Sequence, residues 1–139
     1  LRGHAAICSK FAASLYGMKV LEEGIETNKH NFTRFLVLCD PWKAEEICNP
    51  RKSNKASMVF SLPHNEGSLS QVLSIFSFYK INLTKIQSLP IIGREWEYMF
   101  YVDVTYDDYT RYRQSVDAMR PLTKQFKILG EYEDGKSTL

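Results

Sequence analysis

Cysteine is scarce in this chain and poorly placed for chemistry. Cys8, Cys39 and Cys48 make an odd count with neither CxxC nor metal-ligand spacing. That excludes a simple disulfide framework or zinc site and predicts plain thiols in a reducing compartment. Long apolar runs are missing too: nothing reaches the roughly 18 residues of a membrane span, and no signal peptide is visible. A cytoplasmic protein with no membrane partner is expected. Neither sign of charge dominates, since 18 Lys and Arg stand against 16 Asp and Glu, for a net charge of +2. That is too little to argue for nucleic acid, and the one close basic trio, Arg51, Lys52 and Lys55, reads as a solvated linker. Asn31-Phe32-Thr33 and Asn82-Leu83-Thr84 match the glycosylation sequon, but both abut apolar strand-like runs. With 139 residues the chain has room for one full core, or for one small domain plus part of another. It begins at Leu1 without an initiator Met and enters a helical pattern almost at once, so a piece of a longer polypeptide is expected.

What is present is organised around Lys55 to Pro90. Met58, Phe60 and Leu62 alternate with Ser57, Val59 and Ser61, as in a strand. Leu69, Val72, Leu73, Phe76 and Tyr79 then recur at spacings of three and four, which predicts a helix with one apolar face. Ser68 and Gln71 have capping-box spacing, and Gly67 before them permits a sharp turn. A helix start left open to approach in this way attracts a carboxylate. A second strand follows, in which Ile81, Leu83, Lys85 and Gln87 alternate with Asn82, Thr84, Ile86 and Ser88.

Upstream, Ile7, Phe11 and Leu15 predict an amphipathic helix that closes at Gly17. Met18 to Leu21 reads as a short strand or extended link. Asn31 to Cys39 is apolar on both alternating faces except at Thr33 and Arg34, which predicts a strand buried on two sides. One helix and one or two strands are too few to cover it, so its partners must come from elsewhere. Arg34 reads either as a structural ion pair or as a clamp for a carboxylate. Thr33 reads either as a satisfied strand hydroxyl or as a donor to a substrate. Residues 40–54 lose all pattern and are expected to be a linker, with a domain boundary near residue 53.

Downstream, Trp96, Tyr98, Phe100, Val102 and Val104 alternate with Glu97, Met99, Tyr101, Asp103 and Thr105 in a strongly patterned strand. Asp107 or Asp108 caps a helix with the stripe Tyr109, Tyr112, Val116 and Met119, ended by Pro121. Lys124 to Tyr132 is a last strand with Phe126 and Ile128 on one face, and residues 133–139 are expected to be a disordered tail. The order strand, helix, strand, strand, helix, strand is the ferredoxin-like plan: an α+β fold with an antiparallel sheet and both helices on one face. A metal-chaperone version would need paired cysteines in its first turn, where Pro63 to Gly67 stand. An RNA-recognition version needs glycine between aromatics, which Glu95 to Tyr101 lacks. A small-molecule regulatory module, holding the carboxylate of an amino acid at the helix start near Gly67, fits the plan as well.

Several ordered motifs, Asn31-Phe32-Thr33-Arg34-Phe35, Ser61 to Leu69, Ile81 to Pro90 and Trp96 to Asp103, together resemble the C-terminal part of prephenate dehydratase. The resemblance implies that residues 1–39 are the end of an α/β catalytic domain and residues 55–132 an ACT domain that binds L-phenylalanine for allosteric feedback control. The family turns prephenate into phenylpyruvate, water and carbon dioxide in phenylalanine biosynthesis, without a cofactor. It implies catalytic roles for Thr33, Arg34 and Phe35, with the Thr33 hydroxyl stabilising the departing ring oxygen. It implies an effector site at Asn65, Gly67, Ser68, Leu69, Asn82, Leu83, Gln87 and Ser88, lying between ACT domains paired side by side in a homodimer or homotetramer. Gln87 and Leu89 depart from the family's Glu-Ser-Arg-Pro motif by replacing its acid and its arginine. The alternative reading is a free-standing amino-acid-binding module without catalytic activity.

Overall fold

The structure is a computed structural model and describes residues 3–28 and 33–135. By internal contact it divides into two units, Leu1–Leu38 and Cys39–Leu139.

In the first unit Lys10–Leu15 form one short helix, α1. The Ser9 hydroxyl caps it by accepting from the Ala12 N–H at 3.1 Å. It closes at Gly17, as expected: Met18 N–H donates to the Ala13 carbonyl and Gly17 N–H to the Ser14 carbonyl, around a glycine with φ +61°. The amphipathic pattern is not used for burial here, because Phe11 and Leu15 are 76% and 65% exposed. Met18 to Leu21 form an extended link without a ladder.

The two-sided buried strand expected over Asn31 to Cys39 is not formed. Residues 29–32 lie outside those described, and from Thr33 to Asp40 the chain has no regular structure. Val37 and Leu38 are 93% and 88% exposed. The physical reason is pairing: a strand needs a neighbour for its N–H and C=O groups, and the described part of this unit supplies a single helix.

The second unit begins with α2, Pro41–Ile47, and a 3-10 turn at Pro50–Lys52. Both lie in the stretch expected to be a patternless linker. Pro41 and Pro50 each take the first helical position, where a missing N–H costs nothing. Then come β1 (Lys55–Ser61), α3 (Ser68–Phe78), β2 (Asn82–Pro90), β3 (Tyr98–Thr105), α4 (Tyr109–Met119) and β4 (Gln125–Tyr132). The strands form one sheet in the order β2-β3-β1-β4, with every neighbouring pair antiparallel. This is the expected α+β, ferredoxin-like arrangement.

Both helices pack on one face of the sheet. Ala56, Met58 and Phe60 from β1 meet Val72 and Phe76 from α3, and Tyr112, Val116 and Met119 from α4. These are the stripes that the periodicity marked. As one of the two inner strands, β1 also has Val59 and Ser61 buried on its other face. Asp108 is the cap of α4, accepting from the N–H groups of Thr110 at 2.8 Å and Arg111 at 3.2 Å.

Two alternations break. In β2 the register shifts between Leu83 and Lys85, so Leu83 pairs with Val104 and Ile86 with Val102. A bulge at Thr84 absorbs one residue and turns Leu83 and Ile86 to the same face, whereas strict alternation sets them apart. Trp96 lies outside β3, in a left-handed conformation with φ 65°.

Asp134, expected in the disordered tail, is held. Its N–H donates to Asn54 Oδ1 at 2.6 Å and its carboxylate pairs with Lys55 at 3.1 Å. Residues 136–139 lie outside the described part. Among the described residues no helix is long and apolar enough to cross a membrane.

Candidate functional site

The β1–α3 turn builds an opening at one end of the sheet. Gly67 is the N-cap of α3 with φ +78°, and among the described residues no atom beyond its chain neighbours lies within 4 Å of where its Cβ would stand. Glycine is needed there for backbone conformation and not for space. The capping box expected from Ser68 and Gln71 does not form. Ser68 is already the first helical residue, and its hydroxyl donates backward to the Asn65 carbonyl at 2.9 Å. With no side chain capping the helix, the Leu69 and Ser70 N–H groups have no partner among the described residues. Two backbone donors at the positive end of an eleven-residue helix therefore face outward, an arrangement suited to a carboxylate.

Beside this turn lies a cleft of about 130 Å³. Leu62, Pro63, His64 and Asn65 form one wall, with Ser68 and Leu69 from the first turn of α3. Tyr98 and Phe100 of β3 form the other, and Trp96 stands at the rim, its ring 5.9 Å from that of His64. Next to Trp96, Glu97 accepts from Lys124 Nζ at 2.7 Å and Arg94 at 3.3 Å. These two cations lower its carboxyl pKa, Lys124 most strongly.

Of the expected effector residues, Asn65, Ser68 and Leu69 line this cleft, with Gly67 between them in the chain. Ser88 pairs with the cleft residue Phe100, and Gln87 with Tyr101. Asn82 and Leu83 are elsewhere. Asn82 pairs with Thr105, at the opposite end of β3 from the Met99 that pairs with Ser61. Six residues of strand separate these ends, or about 20 Å at 3.3 Å per residue. Within one chain the two halves of the expected effector site do not meet. His64, Trp96, Tyr98 and Phe100 were not expected in the site. The aromatic face of the Trp96-to-Val104 pattern was the available signal, read as one face of a strand and weighed only as an RNA-recognition surface.

Thr33, Arg34 and Phe35, the expected catalytic residues, follow one another in an irregular stretch of the first unit. All three are exposed, Phe35 to 84%.

Element order and sheet topology define the class: a ferredoxin-like α+β domain, preceded in the chain by a second, shorter unit. Residues 1–42 match the family model described as prephenate dehydratase. The chain is 34% identical to a bifunctional chorismate mutase/prephenate dehydratase of Aquifex aeolicus, over 91% of this chain and 34% of that protein. It is 36% identical to arogenate dehydratase/prephenate dehydratase 6 of Arabidopsis thaliana, over 95% of this chain and 35% of the relative. Among solved structures, the prephenate dehydratase of Streptococcus mutans aligns with a TM-score of 0.52 at 30% identity, covering 58% of this chain and 43% of its own. That of Arthrobacter aurescens, solved in complex with L-Phe, aligns at 0.54 over 61% of this chain and 28% of its own; at 24% identity the likeness is one of fold. The chain is thus similar in sequence to prephenate dehydratases, and it spans about a third of the length of the curated relatives it matches.

Proposed function

We propose that this chain is the C-terminal part of a prephenate dehydratase, with residues 1–39 ending its catalytic domain and residues 55–132 forming an ACT domain that binds L-phenylalanine for feedback control. The parent enzyme would act in the cytoplasm, converting prephenate to phenylpyruvate, water and carbon dioxide. Thr33 would stabilise the departing ring oxygen, with Arg34 and Phe35 beside it. The observation that carries the regulatory half is the uncapped start of α3 at Gly67, opening beside an aromatic cleft. Two free N–H donors match the carboxylate of an amino acid, and Leu62, Tyr98 and Phe100 match an aromatic side chain.

The site needs a second chain. A cleft of about 130 Å³ is smaller than the roughly 300 Å³ at which ligand pockets begin, and Asn82 and Leu83 lie at the far end of the sheet. Pairing two copies through their β2 edges, antiparallel and about a two-fold axis, answers both points. It sets the Asn82 end of one β2 beside the Pro90 end of the other, which is the end carrying Asn65 to Leu69. β2 is an edge strand whose outer side is unpaired among the described residues.

Two measurements test the proposal. Sedimentation should give a mass twice 16.1 kDa, or a multiple of it, in the presence of L-phenylalanine. The 139-residue chain itself should not turn over prephenate or arogenate, because Thr33 stands exposed in an irregular stretch. A monomer saturated with phenylalanine would refute the paired site, and turnover would refute the assignment of the first unit.

A further inference from the structure

A chain of hydrogen bonds leads from the Asn82 end of the sheet into the segment that enters it. Asn82 Nδ2 donates to Thr105 Oγ1 at 3.4 Å. The next residue, Tyr106, is 4% exposed, and its N–H donates to the Asn54 carbonyl at 2.9 Å. Its phenol lies 2.9 Å from Ser53 Oγ. The Ser53 hydroxyl already spends its single proton on the Pro50 carbonyl at 2.5 Å, so Tyr106 must be the donor to Ser53. Burial pushes the Tyr106 phenol up to about 12, which keeps that proton in place at physiological pH. Ser53 is itself 7% exposed, and Asn54 N–H donates to Tyr132 at 3.2 Å. Residues 50–54 are therefore fastened to the sheet at the end where Asn82 lies, away from the cleft.

We propose that Asn82, Thr105, Tyr106 and Ser53 form a coupling path by which occupancy of the effector site tightens the Pro50–Asn54 segment, through which the chain enters the regulatory sheet. This rests on the phenylalanine-binding reading above, in which Asn82 meets a ligand. Asn82 is exposed, and its amide offers one acceptor and two donors. A ligand that engages the acceptor oxygen fixes the amide plane and with it the bond to Thr105. Thr105 is the last residue of β3, so ordering its side chain ends the fraying of the strand just before Tyr106. Thr105 acts here as a positioning residue and does not itself touch the ligand.

The test is amide hydrogen exchange at Ser53 and Asn54 on the full chain, with and without saturating L-phenylalanine, beside calorimetry on the same samples. Phenylalanine should slow exchange at both amides by about fivefold or more, the lower end of ordinary coupling. Thr105→Val keeps a β-branched strand residue but loses the hydroxyl; it should still bind phenylalanine yet lose the slowing. Thr105→Ser, which keeps the hydroxyl, should retain both. Slowing that survives unchanged in Thr105→Val overturns the path, as does binding that leaves Ser53 and Asn54 untouched. Absence of calorimetric binding overturns instead the effector reading beneath it.

Discussion

Tyr112 lies flat against Tyr106, with ring centroids 4.2 Å apart and planes 8° from parallel. It is fully buried, and its phenolic oxygen has no hydrogen-bond partner among the described residues. Burial pushes that phenol up, and the Glu131 carboxylate adds to the effect without closing a hydrogen bond. The ring therefore stabilises while the hydroxyl does not. Tyr112→Phe should leave stability within about 1 kcal/mol of the parent or raise it, because it removes a buried polar group that lacks a partner. Tyr112→Ala should cost about 3–5 kcal/mol. Urea denaturation decides, and a loss of about 2 kcal/mol in the phenylalanine variant would mean that the hydroxyl has a partner after all.

The end of α3 invites the opposite change. Lys80 has φ 57°, and around it Ile81 N–H reaches the Phe76 carbonyl at 2.8 Å while Lys80 N–H reaches Ser77 at 3.1 Å. Glycine is the usual residue at such a left-handed helix end. A lysine there costs about 1–2 kcal/mol in backbone strain, partly offset by the greater unfolded-state entropy of glycine. Lys80→Gly should raise the urea midpoint, whereas Gly67→Ala should lower it, since its cost is conformational with open space around the added methyl. A lower midpoint for Lys80→Gly would contradict the assignment.

These two helix ends show what could be read beforehand. The apolar stripes of α3 and α4 follow from spacing alone, since Val72, Phe76, Tyr112 and Val116 recur with the helical period and all reach the core. The bulge at Thr84 was not legible: one extra residue in a strand leaves no compositional mark, and it is the pairing with Val102 and Val104 that fixes Leu83 and Ile86 on one face. Ser68 and Gln71 fit a capping box equally well, and only the left-handed backbone of Gly67 moves the cap one residue earlier. Phe35 to Leu38 have the composition of a buried strand. Composition states a preference for burial and carries no information on whether a partner is at hand. The expected effector residues divide likewise: Gly67 was legible from its turn, while the distance from Asn82 to it depends on strand register.

Glu97 gives a pH signature. Because Lys124 and Arg94 lower its folded-state pKa below the ordinary carboxylate value, its contribution to stability is present above that value and is lost as pH falls through the folded pKa. Thermal melts of the parent and Glu97→Gln should differ most near neutral pH and converge at the acid end, and added salt should shrink the gap. A gap that widens on acidification would reverse the sign and contradict the ion pairs.

The central claim, that L-phenylalanine binds where the uncapped start of α3 meets the second half of the site from a partner copy, is tested most directly by calorimetric titration of the chain with L-phenylalanine. Tyrosine and a short RNA serve as controls. The account predicts saturable binding of one phenylalanine per chain, abolished by Gly67→Val, weakened by Asn82→Ala, and no heat from the RNA. A folded dimer that takes up no phenylalanine, or binding that Gly67→Val leaves intact, would contradict it.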